Sequence, residues 1–107
     1  IASGDIGTHF PPSDNAWKNV ASEVFLKHAV QLVEEFGFKI NNIDCTIICE
    51  QPKISPLSNQ MKSSVSRITG LDINRISLKA TTSEKLGFTG REEGIAAIAT
   101  ATVCKFE

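Results

Sequence analysis

The sequence lacks a dominant charge, a long apolar run and a leader-like start, and each absence excludes a class of protein. Its 11 Lys and Arg residues oppose 12 Asp and Glu residues, for a net charge of −1. A basic surface for nucleic acid or anionic membrane is therefore not expected. No apolar stretch approaches the roughly 20 residues that span a bilayer. The first residues show no basic segment followed by an apolar one, so no signal peptide is predicted.

Cysteine and histidine are also scarce. Cys45, Cys49 and Cys104 form neither a CxxC pair nor a Cys/His zinc spacing, and we interpret them as reduced thiols in a cytosol-like compartment. His9 and His28 have no second good ligand three or four residues away, so neither is predicted to bind a metal. No Ser/His/Asp or Cys/His triad can be built from these residues.

The chain has the size and composition of one domain. It holds 107 residues, of which 41% are hydrophobic and 21% are charged, values close to those of soluble globular proteins. We treat residues 1–107 as a single domain. The sequence does not begin with Met, and residues 1–4 are typical of a helix end running into a glycine. We therefore expect a further segment to precede residue 1.

Hydrophobic periodicity predicts two helices. Residues 22–36 place apolar side chains such as Phe25 and Leu32 on one face, and Gly37 follows them. Ser55-Pro56 is a good helix start, and a stripe of apolar residues follows it as far as Gly70.

Three further segments predict strands. Residues 39–50 and 76–80 alternate with a period of two. Residues 95–106 are unusually rich in alanine and threonine, which suits close approach of another sheet or subunit. Polar, glycine-rich stretches at 5–21 and 81–94 predict loops. This order predicts an α+β fold, a split β-α-β sheet with its helices on one face and its opening strands missing.

Polar side chains concentrate where the predicted strands end. Thr81-Thr82-Ser83-Glu84-Lys85 can hold phosphate oxygens and a hard cation. Taken alone, the segment favours a helix cap, with Thr81 or Thr82 as the cap and Glu84 in the first turn. Lys53, after Gln51-Pro52, can meet a phosphate or stay solvated. Asp5-Ile6-Gly7 taken alone predicts only a turn.

Five segments, taken together, resemble one enzyme family in their order and spacing. They are Asp5-Ile6-Gly7, Phe10-Pro11, Thr46-Ile47-Ile48, Pro52-Lys53 and residues 79–95 (KATTSEKLGFTGREEGI). The last is the longest and most specific motif. On these motifs the chain resembles the C-terminal two-thirds of the 2-C-methyl-D-erythritol 2,4-cyclodiphosphate synthase family, over essentially all of its 107 residues.

The resemblance implies an activity in non-mevalonate isoprenoid biosynthesis. The family's phosphorus–oxygen lyases convert 4-diphosphocytidyl-2-C-methyl-D-erythritol 2-phosphate into the cyclic diphosphate and release CMP. The 2-phosphate attacks the β-phosphorus, so catalysis consists of positioning and charge neutralisation by metals. The resemblance also implies a ferredoxin-like subunit in a homotrimer with active sites shared between neighbours. It implies a bacterial cytoplasmic or plastid stromal enzyme.

The resemblance assigns site residues as well. The methylerythritol phosphate part is implied to bind Asp5, Ile6, Gly7, Phe10, Pro11, Pro12, Ser13 and Asp14, with Phe88 and Arg91 near the substrate and the trimer axis. The cytidine diphosphate part is implied to bind Cys49, Glu50, Gln51, Pro52, Lys53, Ile54, Ser55, Ala80, Thr81, Thr82, Ser83 and Glu84. Glu84 matches the ligand of a magnesium or manganese ion that bridges the phosphates. Thr82, with Asp5, is the implied catalytic residue.

The chain departs from the family pattern at three positions. Pro12 stands where an aspartate is usual, and Ile54 and Ser55 stand where larger residues are common. We therefore expect a different polar contact in the first loop and a different shape of the cytosine pocket.

The family's zinc ligands are an Asp-x-His pair and a further histidine in its N-terminal third. That third has no counterpart in these residues, and His9 and His28 do not match those positions. A rival interpretation follows, in which the chain binds nucleotide without turnover or serves as a trimeric scaffold. An Asp-x-His motif encoded upstream would favour the enzyme.

Overall fold

The computed structural model describes residues 1–17 and 21–106. Within these residues the strands are β1 (Phe38–Ile48), β2 (Ile76–Thr81) and β3 (Ala96–Lys105). The α-helices are α1 (Ile6–His9), α2 (Ser22–Glu35), α3 (Ser58–Thr69) and α4 (Gly87–Gly90). Single 3₁₀ turns lie at Asn15–Trp17, Ser55–Leu57 and Ile73–Arg75.

The three strands form one sheet in the order β2-β1-β3. β1 and β2 are parallel, with α3 crossing between them, and Ile48 lies opposite Thr81 at their carboxyl ends. β3 runs antiparallel along the other side of β1, with a register shift between Ile40 and Asn42. Because β1 and β2 end side by side, the loops that follow them meet at one edge of the sheet.

Both long helices end where the sequence predicts. Gly37 and Gly70 follow them with φ of 84° and 75°, a left-handed conformation that glycine adopts without steric cost. Glu23 on α2 accepts ion pairs from Arg67 on α3, at 2.8 Å, and from Lys27, at 3.2 Å. Arg67 and then Lys27 hold the pKa of Glu23 below its usual value. This ion pair ties the two helices together over the sheet.

The core is small and lies between the sheet and α3. Ile47, Cys49 and Ile54 are buried, and Cys45, Met61 and Leu78 pack against them. Alternate residues of β1 thus face the helices, as the period of two predicts. α2 packs on β1, α3 packs on β2, and the helices contact each other. Both helices therefore cover the same face of the sheet.

Much apolar surface stays exposed on β3 and near it. Ile98 is 64% exposed, and Ile95 and Val103 are exposed as well. The radius of gyration is 15.5 Å, whereas a compact domain of this length has one of about 13 Å. The chain is therefore more open than a self-contained domain of its size.

The structure confirms a mixed α+β fold and corrects three local predictions. The predicted loop at 5–21 contains α1, because Asp5 caps that helix, and a 3₁₀ turn. Residues 18–20 of this predicted loop lie outside the described residues. The helix predicted from Ser55 opens with a 3₁₀ turn and becomes α-helical only at Ser58. The loop at 81–94 includes α4.

Candidate active site

The loops after β1 and β2 enclose a pocket of about 390 Å³. Its lining includes nine residues of the predicted nucleotide set, together with Pro56: Cys49, Glu50, Pro52, Lys53, Ile54, Ser55, Ala80, Thr81 and Thr82. The backbone N–H of Cys49 donates to the Thr81 carbonyl at 3.1 Å, which extends the parallel pairing to the rim of the pocket. Ligands commonly bind in such crevices at the carboxyl ends of parallel strands.

Hydrogen bonds between side-chain and backbone groups fix the shape of the loop after β2. The Glu84 N–H donates to Thr82 Oγ1 at 3.2 Å, and the Lys85 N–H donates to Glu50 Oε1 at 3.0 Å. Glu84 and Lys85 both have positive φ, 54° and 67°, which is uncommon for residues other than glycine. These bonds describe a turn rather than a helix cap. The helix-cap alternative for Thr82 is wrong, since α4 begins at Gly87 after Leu86, which makes no side-chain cap.

A pair of hydroxyl groups, on Ser83 and the buried Thr89, stabilises the same loop. Ser83 Oγ donates to the Leu86 carbonyl at 2.6 Å, so the buried Thr89 hydroxyl is the donor in its 2.8 Å bond with Ser83. Ser83 thus serves the loop's own structure. Of the predicted nucleotide set, Gln51, Ser83 and Glu84 do not line the pocket; all three still belong to its two loops.

A second group of predicted residues lies in the first loop of the chain. Ile6, Gly7, Phe10, Pro12 and Asp14 line a depression of about 520 Å³ beside α2, with Asn15 and Phe25. The ring of Phe10 packs edge-on against Phe25, with centroids 4.7 Å apart. Pro11 and Ser13 lie exposed between these residues. These residues therefore lie together in one loop, and the sequence misses the short helix that presents them.

Two aspartates of this loop act as local caps. Asp5 Oδ1 accepts from both the hydroxyl and the N–H of Thr8, each at 2.9 Å. These two bonds, the hydroxyl's first, hold the pKa of Asp5 below its usual value. Asp14 Oδ1 accepts from the Ala16 N–H at 2.9 Å. Both carboxylates therefore shape the loop through bonds to its own residues.

The two groups of residues stay apart within the described part of the chain. The pocket between the strand ends has no residue of the first loop in its lining, and the depression beside α2 has none of the loops after β1 and β2. Phe88 and Arg91 belong to neither lining. Phe88 is 52% exposed, and Arg91 forms a two-point ion pair with Glu93 at 2.9 and 3.2 Å.

The fold also joins two histidines that the sequence leaves unrelated. His9 Nε2 lies 2.7 Å from the Ser3 carbonyl, so this nitrogen carries the hydrogen, and His9 Nδ1 lies 3.3 Å from His28 Nε2. The pair fastens the start of the first loop to α2. A spacing of 19 residues gave no sequence signal for this contact.

The side chains present suit magnesium or manganese better than zinc. Glu84 is exposed and, within residues 1–17 and 21–106, its carboxylate has no hydrogen-bond or ion-pair partner. A single carboxylate beside threonine hydroxyls fits Mg²⁺ or Mn²⁺, which take their other ligands from water and phosphate. Among the described residues no group of three His, Cys, Asp or Glu side chains is placed to hold a metal. A closed zinc site needs such a group, so these residues do not fit zinc.

The lengths of the helices also decide whether any of them could span a membrane. No helix in the described part of the chain is both long and apolar enough to cross a bilayer.

The fold and the pocket define an α+β domain with a crevice between two parallel strand ends. The chain belongs to the YgbB family, whose model matches residues 1–104. It is 61% identical over 105 residues to a 2-C-methyl-D-erythritol 2,4-cyclodiphosphate synthase of Roseobacter denitrificans, covering 98% of this chain and 66% of the relative. It is 58% identical to a bifunctional enzyme IspD/IspF of Ruegeria sp. strain TM1040, covering 98% of this chain and 28% of that one.

A solved structure shares the fold. The CDP complex of IspF from Plasmodium falciparum superimposes with a TM-score of 0.85 at 31% identity, covering 98% of this chain and 62% of that one. This chain therefore spans between about a quarter and two thirds of the length of the relatives it matches.

Proposed function

We propose that this chain forms the larger part of a cyclodiphosphate synthase, which converts 4-diphosphocytidyl-2-C-methyl-D-erythritol 2-phosphate into 2-C-methyl-D-erythritol 2,4-cyclodiphosphate and CMP. The observation that carries the proposal is the pocket of about 390 Å³, whose lining coincides with the predicted nucleotide loops. The 61% identity to a named synthase supports it. A bacterial cytoplasmic or plastid enzyme of isoprenoid biosynthesis follows from the same assignment.

Different residues of the pocket contact different parts of the nucleotide. Lys53 is exposed at the rim of the pocket, where its ammonium group can pair with the diphosphate. Ile54 and Cys49 form the apolar floor. The Thr82 hydroxyl can donate outwards while its oxygen accepts the Glu84 N–H, so it can steady the phosphoryl oxygens in the transition state.

The reaction needs no nucleophile from the protein. An oxygen of the substrate's 2-phosphate forms a bond to the β-phosphorus, and the bond from that phosphorus to the bridging oxygen breaks, so that CMP leaves with the electron pair. A divalent cation held by Glu84 would supply charge neutralisation across the diphosphate. The chain itself holds the two phosphates in line and shields them from competing water.

The first loop completes the proposal across a subunit boundary. Asp5, Gly7 and Phe10 are assigned to the methylerythritol phosphate part, and the depression that Gly7 and Phe10 line is separate from the pocket that Thr82 lines. This separation supports a ferredoxin-like subunit in a homotrimer, in which one subunit's first loop faces its neighbour's nucleotide loops. The exposed apolar strand β3 supports the same assembly.

Nucleotide binding is tested by calorimetry with CDP and cytidine in the presence of Mn²⁺. Lys53→Ala is expected to weaken CDP binding by about 1.5–3 kcal/mol, the value of a charge-assisted contact, and to leave cytidine binding nearly unchanged. Lys39→Ala, an exposed lysine at the other end of β1, is the matched control. Equal weakening of CDP and cytidine would show that Lys53 does not meet the phosphates.

Turnover requires a separate experiment. We expect the 107-residue chain alone to bind CDP with Mn²⁺ but to take up no stoichiometric zinc and release no CMP. The same chain, joined to the N-terminal third of the Roseobacter denitrificans synthase, is expected to do both. In that fusion Glu84→Gln should reduce CMP release far more than the melting temperature, because the loop is exposed. A folded, zinc-loaded fusion without turnover would favour a nucleotide-binding or scaffold role.

A further inference from the structure

The strained turn beside Glu84 is held from outside its own loop. Glu84 and Lys85 are consecutive residues in the left-handed region, with φ of 54° and 67°. Neither is a glycine, so each conformation costs energy and persists only where neighbouring groups enforce it. Glu84 is the residue assigned to the cation, and the direction of its side chain depends on this turn.

Three contacts enforce the turn. Thr82 Oγ1 accepts the Glu84 N–H at 3.2 Å, a bond within the loop. Gly90 lets the Lys85 backbone lie directly against it, because a Cβ at Gly90 would be 2.2 Å from the Lys85 carbonyl carbon. The third contact crosses from the other loop of the pocket, where Glu50 Oε1 accepts the Lys85 N–H at 3.0 Å.

The negative charge of Glu50 explains why its carboxylate is directed at the Lys85 N–H. A carboxylate aimed into a diphosphate site would repel the ligand, whereas a carboxylate bonded to a backbone N–H is partly neutralised and lies aside from the phosphates. Glu50 is half-buried, so its carboxylate gains from a fixed donor. Glu50 and Lys53 line the same pocket but differ in their contacts. The Glu50 carboxylate accepts a backbone N–H from the other loop, whereas Lys53 is exposed at the rim.

We propose that Glu50 is a positioning residue, whose bond to Lys85 fixes the strained turn and so aims Glu84 at the cation on the diphosphate. The inference rests on the proposed function. It assigns Glu50 to the link between the nucleotide loop and the cation loop rather than to direct contact with cytidine diphosphate. Occupation of one loop by nucleotide is thereby coupled to the geometry of the other.

The test compares Glu50→Ala and Glu50→Gln in the same chain, with Glu34→Ala as the control, since Glu34 is an exposed glutamate on α2. Hydrogen exchange of the Lys85 amide reports the bond directly. Titration of Mn²⁺ in the presence of saturating CDP reports the aim of Glu84. Cytidine binding without metal reports direct contact with the nucleoside.

Glu50→Ala is expected to speed Lys85 exchange and to weaken Mn²⁺ about tenfold or more, the loss of one hydrogen bond to a charged group. Cytidine affinity should change less than about twofold, because that variant removes no nucleoside contact. Glu50→Gln keeps an oxygen at the accepting position, so it should restore Lys85 protection and most of the Mn²⁺ affinity. Melting temperatures confirm that each variant is folded.

Three results would overturn the proposal: unchanged Lys85 exchange in Glu50→Ala, a loss of cytidine affinity as large as the loss of Mn²⁺ affinity, or a Glu50→Gln variant as impaired as Glu50→Ala. Failure of the parent chain to bind CDP with Mn²⁺ would instead refute the proposed function. Lys85 exchange would still decide whether Glu50 holds the turn, so the two failures are distinguishable.

Discussion

The pocket between the strand ends and the first loop of the chain are built in different ways. The pocket takes its residues from two segments about 30 positions apart, which the parallel register of β1 and β2 brings side by side. The first loop is one continuous segment, shaped by Asp5 and Asp14 as caps and by ring contacts to α2. A sheet fixes the first region, whereas side chains fix the second.

This difference determines how each region responds to change. Residues at strand ends keep their positions while the sheet persists, so substitutions there act chiefly on ligands. In the first loop, each cap or ring contact supports only its immediate neighbours. The exception in the pocket is the turn at Glu84 and Lys85, which depends on particular contacts as the first loop does.

The largest expected effect tests the turn at Glu84 and Lys85. Gly90→Ala places a Cβ 2.2 Å from the Lys85 carbonyl carbon, and backbone on backbone cannot move aside cheaply. We expect a loss of about 3 kcal/mol in the free energy of unfolding, the upper part of the range for overpacking. Urea denaturation measures it.

Gly70→Ala is the matched control for that change. Gly70 has φ of 75° but open space where a Cβ would lie, so only the left-handed conformation is penalised, by about 1 kcal/mol. If the two variants lose equal stability, the close approach of Gly90 to Lys85 does not hold the turn.

The next effect tests whether the two regions meet across subunits. Ala99→Leu and Ala101→Leu enlarge small, exposed side chains of β3. If β3 lies against a neighbouring subunit, overpacking should cost about 1–3 kcal/mol and lower the trimer fraction. Mass measurement by light scattering and the melting temperature check it. Unchanged values in both variants would exclude β3 from the interface, since an exposed strand tolerates leucine.

The smallest expected effect concerns a cap in the first loop. Thr8 lowers the pKa of Asp5 through its hydroxyl and its N–H, so the stabilising cap is present above the usual aspartate pKa and is lost as pH falls through the lower native pKa. Thr8→Val removes the hydroxyl and should raise the pKa of Asp5 towards its usual value, while Thr8→Ser should preserve it. Carboxyl ¹³C titration by NMR measures both. No rise in Thr8→Val would mean that the N–H bond alone sets the pKa.

The sequence predicts most of the fold, because the apolar residues of each periodic segment lie on one face of the helix or strand that the period predicts. The helix at 22–36 and the strand at 39–50 are found within two residues of those limits as Ser22–Glu35 and Phe38–Ile48. The 3₁₀ opening at Ser55–Leu57 could not be predicted, since Ser-Pro begins either kind of helix. α1 was missed because a four-residue helix depends on its Asp5 cap rather than on periodicity.

The candidate site is predicted as a set of residues but not as a set of roles. The motifs Pro52-Lys53 and 79–95 assign residues to the two pocket loops through the family, yet no pattern indicates that Ser83 bonds Thr89 or that Glu50 reaches Lys85 across 35 positions. Such bonds depend on the register that places β1 beside β2, and the contact of His9 with His28 depends on how the first loop folds back on α2. Long-range geometry of this kind has no local sequence signal.

Strand β3 has a consequence for the chain's behaviour in solution. It is an outer strand of the sheet, and residues 95–104 (IAAIATATVC) contain neither a charge nor a proline. An open edge with this composition is a template for further strands, and such segments drive aggregation when nothing covers them. Lys105 is the single charged residue of the strand. The solubility of the chain at high concentration is therefore governed by whatever shields this edge rather than by its small, evenly balanced net charge.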